Sequence, residues 1–338
     1  MFPLRPASQY NECVKRLLLA GALAAAGMAT AGVSAGKHDM PLAAASAARL
    51  AESGHCREAL SSLRSAMARV EDPGQKKRLG VDGVRCAMHL SDVDSAGDFV
   101  RALKKQFPRD PEVLYLAAHV FSDLSVRASN ELSIVAPASY QMHELNAEAL
   151  EAEGKQEAAL GEYREVLKQE PNLHGIHYRI GRLLLSGPDK ATAKDAARRE
   201  FEEELKIDPS NAAAEYVLGE LARQDQETSA AVEHFGRATK LDGGFTDAFI
   251  GLGRSLIEGG RAADAIAPLQ AAAKLQPDSP AAHFYLATAY QRSGRQEDAA
   301  REFALQKQAS EKAQRTKREM QAAAAGSQKI VEPTKAEQ

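Results

Sequence analysis

The residues with most scope for chemistry in this sequence are few and scattered. His174-x-x-His177 is the best metal-ligand candidate: two histidines three apart can share a helix face, but a metal there needs further ligands. The plainer reading puts both on the first turn of a helix, where polar side chains face water. The run Arg198-Arg199-Glu200-Phe201-Glu202-Glu203-Glu204 could be an acidic docking patch. Its plainer reading is a solvated helix face around one core residue, Phe201, with i,i+4 pairing such as Arg198 with Glu202. No G-x-S-x-G elbow, H-E-x-x-H helix or phosphate-binding P-loop occurs. The sequence points away from catalysis and implies no cofactor. A metal-binding or enzymatic role would rest on His174 and His177 alone.

The elements that carry these residues repeat. Ala159, Ala197, Ala231, Ala265 and Ala299 are spaced 38, 34, 34 and 34. Ala147, Gly181, Gly219, Gly253 and Ala287 are spaced 34, 38, 34 and 34, and Tyr163, Phe201, Phe235, Leu269 and Phe303 are spaced 38, 34, 34 and 34. Three series share one period and slip by four residues in the same repeat, the signature of one supersecondary unit stacked many times. In residues 246–279, Phe249, Leu252, Gly253 and Leu256 form one helical face, and Ala265, Ile266, Leu269, Ala272 and Ala273 form another. Gly259 and Gly260 separate them and permit a tight hairpin, and Pro277 closes the second helix. Gly253 and Ala265 are small enough to let the two helices approach.

This pattern resembles the tetratricopeptide repeat. The motif is carried by Leu218-Gly219, Ala231, Phe235 and Ala238; by Leu252-Gly253, Ala265, Leu269, Ala272 and Pro277; and by Leu286-Ala287, Tyr290, Ala299 and Phe303. It departs at Asn146, where an apolar residue is usual, and at Gly243, which replaces the closing proline. The resemblance implies an all-α fold, a right-handed α-solenoid of about eight stacked helix-turn-helix repeats. Five clear repeats span 140–313. Three degenerate ones are expected over 40–139, the last a shortened unit at 111–139. Four extra residues of the repeat at 174–211 are expected around Ser186-Gly187-Pro188-Asp189, lengthening a surface turn. A helical cap is expected over 314–325 and a disordered tail over 326–338.

Net charge is −3 over 338 residues, and residues 1–35, with Arg5, Lys15 and Arg16 against Glu12, leave the remainder near −5. That argues against nucleic acid as a partner, which needs a basic footprint. Residues 15–35 read as a secretory signal, with Lys15-Arg16 before an apolar run and Val33-Ser34-Ala35 as the cleavage site. Removal of residues 1–35 would give a mature start at Gly36, a periplasmic or secreted location and no integral membrane segment; the competing reading is an uncleaved anchor. Cys13 would leave with the signal. Cys56 lies at the start of the second helix of its repeat and Cys86 on the first helix of the next, helices that should be neighbours. They are either a disulfide, adding about 3 kcal/mol, or two small buried residues.

The resemblance implies that first helices line a concave binding groove. Its candidate residues are Tyr115, Glu144, Glu148, Tyr178, Arg182, Tyr216, Glu220, Arg223, Ile250, Arg254 and Phe284. Tyr115, Tyr178, Tyr216 and Phe284 share one repeat position, and accessible aromatics interleaved with arginine suit a protein or peptide ligand. The alternative is that these rings pack between adjacent first helices. The groove lacks the lysine and asparagine by which some family members clamp a C-terminal carboxylate. The expected function is a non-catalytic scaffold for a protein partner in the cell envelope. The alternative is a structural subunit of an envelope or secretion assembly.

Overall fold

The computed structural model describes residues 40–187 and 190–329, and all regular elements among them are α-helices. The expected signal lies outside the described residues. No helix among them is long and apolar enough to cross a membrane. The chain divides into two compact units, residues 1–145 and residues 146–338.

The first unit contains α1 (Leu42–Glu52), α2 (Cys56–Arg69), α3 (Pro73–His89), α4 (Val93–Gln106) and α5 (Pro111–Val135). α1–α2 and α3–α4 are helical hairpins, and α2 also packs on α3, and α4 on α5. Asp72, Asp92 and Asp110 cap α3, α4 and α5, each carboxylate accepting a backbone N–H of the first turn. Pro73 and Pro111 follow at the first helical position, where a missing N–H costs nothing. The apolar core is one cluster that includes Ala47, Leu63, Leu79, Val84, Phe99, Leu103 and Val113. Cys56 and Cys86 are joined as a disulfide, with their Cα atoms 4.8 Å apart, and tie the first hairpin to the second.

The expected third hairpin at 111–139 does not form. Pro111–Val135 is a single 25-residue helix. No glycine or proline lies between Pro111 and Pro137, so nothing breaks the backbone ladder where a turn would have to fall.

The second unit begins within α6 (Tyr140–Ala152) and continues through α7 (Gln156–Gln169), α8 (Ile176–Ser186), α9 (Lys190–Ile207), α10 (Ala212–Gln224), α11 (Thr228–Leu241), α12 (Thr246–Glu258), α13 (Ala262–Leu275), α14 (Pro280–Arg292) and α15 (Gln296–Lys329). The hairpins α8–α9, α10–α11, α12–α13 and α14–α15 pack internally, and each second helix packs on the next first helix. Phe201 lies against Gly181, Phe235 against Gly219 and Leu269 against Gly253. A Cβ on Gly253 would stand 2.3 Å from Leu269 Cγ, so the glycine admits a large side chain of its own hairpin rather than only the small Ala265.

Two boundaries differ from expectation. The four extra residues do not lengthen a turn: α9 has 18 residues where α7, α11 and α13 have 14, so they add a turn of helix at its start. Helix-forming Lys190-Ala191 favours continuing the ladder. The expected cap and the first four residues of the expected tail belong to α15, which runs unbroken for 34 residues. Alanines 322–325 carry it past Gly326. Residues 330–338 lie outside the described residues.

Candidate partner-binding face

In the second unit α10 packs beside α12 and α12 beside α14, so successive first helices stand side by side and present equivalent positions in rows. Tyr178, Tyr216, Ile250 and Phe284 form one row. Tyr178 meets Phe201 edge-on with centroids 5.6 Å apart. Tyr216 lies between Phe235 at 5.7 Å and Phe245 at 4.9 Å. Ile250 is half-buried. Phe284 is 45 % exposed and touches Tyr285 and Phe303 with one edge. The two tyrosines therefore sink into packing, as edge-to-face contacts favour, and Phe284 keeps the accessible face.

Arg182, Glu220 and Arg254 form the neighbouring row. Arg182 is exposed, its guanidinium 6.0 Å from the Tyr178 ring centroid. Glu220 accepts from Arg223 at 2.7 Å. Arg254 donates to Glu258 at 2.8 Å and lies 5.7 Å over Tyr285. Most charge here is paired within one helix, with arginine planes laid on aromatic rings.

At the start of the unit Glu148 accepts from Arg179 at 2.7 Å. Arg179 also donates to the Tyr163 hydroxyl at 3.1 Å, and that hydroxyl reaches Glu151 at 3.2 Å. Burial pushes the Tyr163 phenol up to about 12. Arg179 thus offsets the negative charge of Glu148 and Glu151. Tyr115 and Glu144 precede residue 146 and belong to the first unit. Tyr115 is 53 % exposed and meets His119 edge-on at 4.4 Å; Glu144 is half-buried.

The sequence profile of the tetratricopeptide-repeat family matches residues 178–244 and 250–313. Over these residues the chain carries tetratricopeptide repeats. Similar solved structures include MamA, at 22% identity over 52% of this chain and 94% of that one, with a TM-score of 0.46. MamA from Desulfovibrio magneticus RS-1, residues 41 to the end, is similar at 19% identity over 51% and 96%, with a TM-score of 0.46. YrrB, described as a tetratricopeptide-repeat protein with an unusual peptide-binding site, is similar at 19% identity over 54% and 92%, with a TM-score of 0.47. No curated protein matches the sequence.

Within the tetratricopeptide array the histidine pair is split. His174 is exposed and precedes α8. His177 turns inward, its Nδ1 2.7 Å from Glu200 Oε2. Among the described residues no group of three or more His, Cys, Asp or Glu is arranged to hold a metal. The charged run 198–204 is only partly a solvated face. Arg198 bonds Asp225 at 2.7 Å rather than Glu202. Glu204 is fully buried. It accepts the N–H of Gly175 at 2.8 Å and of Tyr178 at 3.2 Å, and an Asn211 amide hydrogen at 3.3 Å. Gly175 at the start of α8 has no side chain to cap it, so Glu204 places a carboxylate against the positive end of that helix. Glu204 stands where Ala238 and Ala272 stand in later repeats, and that break in the 34-residue register is the signal that marks it. For the pairing of Glu148 the corresponding signal is Arg179, a cation on the next first helix, 31 residues further along.

Proposed function

We propose that this protein is a non-catalytic scaffold, exported to the periplasm or beyond, that holds an extended or helical segment of a partner protein along its first helices. The repeat family supports a protein-binding role. The finer reading rests on one observation. Arg182 and Phe284 stay open to solvent above a packed floor of Tyr178, Tyr216 and Tyr285, giving fixed cationic and aromatic contact points at little entropic cost. The signal-like residues 15–35 and the Cys56–Cys86 bond favour an oxidising, extracytoplasmic setting.

A second reading, a structural subunit of a larger assembly, is favoured by α5, whose end carries Ile134 and Val135 at 81 % and 75 % exposure. A crosslinking pull-down from an envelope fraction separates the two. A partner lost with Arg182→Ala/Phe284→Ala and kept with Ile134→Ser/Val135→Ser supports the groove scaffold. The opposite pattern supports the assembly subunit. A mature protein beginning at Gly36 supports export with cleavage, and retention of Lys15 ends it.

A further inference from the structure

One pair of repeat positions carries chemistry that the binding face does not use. On the first helices the position holds His143, His177, Glu215, Phe249 and His283, spaced 34, 38, 34 and 34. The facing position on the second helices holds Glu162, Glu200, His234, Pro268 and Glu302, spaced 38, 34, 34 and 34. In the sequence, four of five repeats thus hold one histidine and one glutamate at these two positions, and one repeat has them exchanged. The remaining repeat replaces both with apolar residues. An exchange that keeps the pair while swapping the helices says that the pair itself is what the hairpin uses.

Three of these pairs close in the second unit. His177 Nδ1 lies 2.7 Å from Glu200 Oε2, His234 Nδ1 2.7 Å from Glu215 Oε2, and His283 Nδ1 2.6 Å from Glu302 Oε2. They are not equivalent. On α9, Glu200, Glu203 and Glu204 all bear on His177 and favour its charged form, the Glu200 hydrogen bond most strongly, so its pKa is raised. Lys206 lines the same shallow cavity as His174 and His177 but is engaged by Glu203 at 2.6 Å. His283 is buried, with Nε2 2.9 Å from the Pro277 carbonyl oxygen. At His234 the cation is supplied twice: Arg237 Nε donates to Glu215 at 2.6 Å, and Arg237 Nη2 lies 2.7 Å from the same Nδ1. Closure of α10–α11 therefore does not depend on a charged imidazole.

We propose that α8–α9 is a proton-sensitive clasp: mild acid charges His177 against Glu200 and tightens this hairpin, while α10–α11 and α12–α13 stay indifferent to pH. Histidine is the side chain that changes charge in this range. For His177 the folded value lies above the unfolded one. Its contribution is therefore complete below about pH 6.5 and is lost as pH rises through the folded value. This makes α8–α9 firmer in mild acid than at higher pH.

Hydrogen exchange on the full chain at about pH 6 and about pH 8, corrected for intrinsic rates, tests this. Opening of α8 and α9 should increase severalfold at the higher pH, because the folded hairpin favours the charged His177. Opening of α10–α13 should stay constant. His177→Gln should remove the pH dependence. An equal pH response in that variant, or in α12–α13, overturns the proposal. Should the variant unfold, Glu200→Gln keeps the ring and removes its anion. The NMR titration midpoint of His177 should then fall, and an unchanged midpoint also overturns it.

Discussion

In the first unit a single apolar cluster runs from Ala44 to Val120, and a disulfide crosses it. Ion pairs tie its successive first helices: Glu52 to Arg78, and Arg85 to Glu112 at 3.3 Å. In the second unit the core is divided, with Phe201 and Leu218 in one cluster, Phe235 in another and Leu269 with Leu286 in a third. Polar pairs there close hairpins on themselves, as His177 with Glu200 and His283 with Glu302 do, and also link neighbours, as Arg179 with Glu148 and Arg198 with Asp225 do. Among the described residues, buried polar atoms without a partner occur in both units, Ser255 Oγ and Ser293 Oγ being those of the second. In the first unit Asp82 keeps one carboxylate oxygen buried without a partner, and burial pushes its pKa up. The difference predicts an all-or-none first unit and a second unit that opens hairpin by hairpin.

The largest effect that tests this comparison is loss of the Cys56–Cys86 bond. It closes a sequence separation of 30 residues, and removing it should cost roughly 3–4 kcal/mol. Reduction, or Cys86→Ala, should speed hydrogen exchange throughout α1–α5 together and leave α8–α15 unchanged. Loss shared equally by both units would end the distinction between them.

The next effect is in the regular unit. Gly253→Ala puts a Cβ 2.3 Å from Leu269 Cγ. Overpacking of about 1–3 kcal/mol should outweigh a helix-propensity gain of about 1 kcal/mol. The damage should appear in α12–α13 and fade with distance along the array. Gly236→Ala is the matched control: it also lies in a helix, but nothing stands within 4 Å of its Cβ, so the propensity gain alone should stabilise the protein. Denaturation midpoints check both signs.

The same contrast explains what the sequence disclosed. Periodicity in Gly181, Gly219 and Gly253 and in Phe201, Phe235 and Leu269 reads out directly, because a packing position forced to be small or large once per repeat writes itself at 34-residue intervals. Pro111–Val135 is not legible as one helix from that period, because the neighbouring repeats imply a turn where the chain has no turn-forming residue. The groove residues are legible by position but not by exposure. Whether Tyr178 faces a ligand or Phe201 depends on ring orientation across a hairpin, which spacing does not encode. Glu204 and His177 are hidden for the opposite reason. Polar residues on a helix are ordinarily solvated, so burial enforced by a partner 20–30 positions away escapes a local reading.

The smallest effect sharpens the comparison most, because it can be made identically in both units. Gly54, Gly154, Gly260 and Gly294 take the hairpin turn at φ between +75° and +81°. At the same turn Ser91 has φ 57° and Gln226 has φ 63°, a left-handed conformation that strains any residue with a Cβ. Each substitution to glycine should relieve that strain, partly offset by the freer unfolded chain, for a net gain of about 0.5–1 kcal/mol. The size should be similar and its distribution different. If the first unit opens as one block, Ser91→Gly should slow exchange across all of α1–α5. If the second opens by hairpins, Gln226→Gly should slow exchange in α10–α11 and scarcely touch α14–α15. A uniform gain along α8–α15 would mean that the regular repeats are as cooperative as the stapled ones, and that the disulfide adds stability without adding cooperativity.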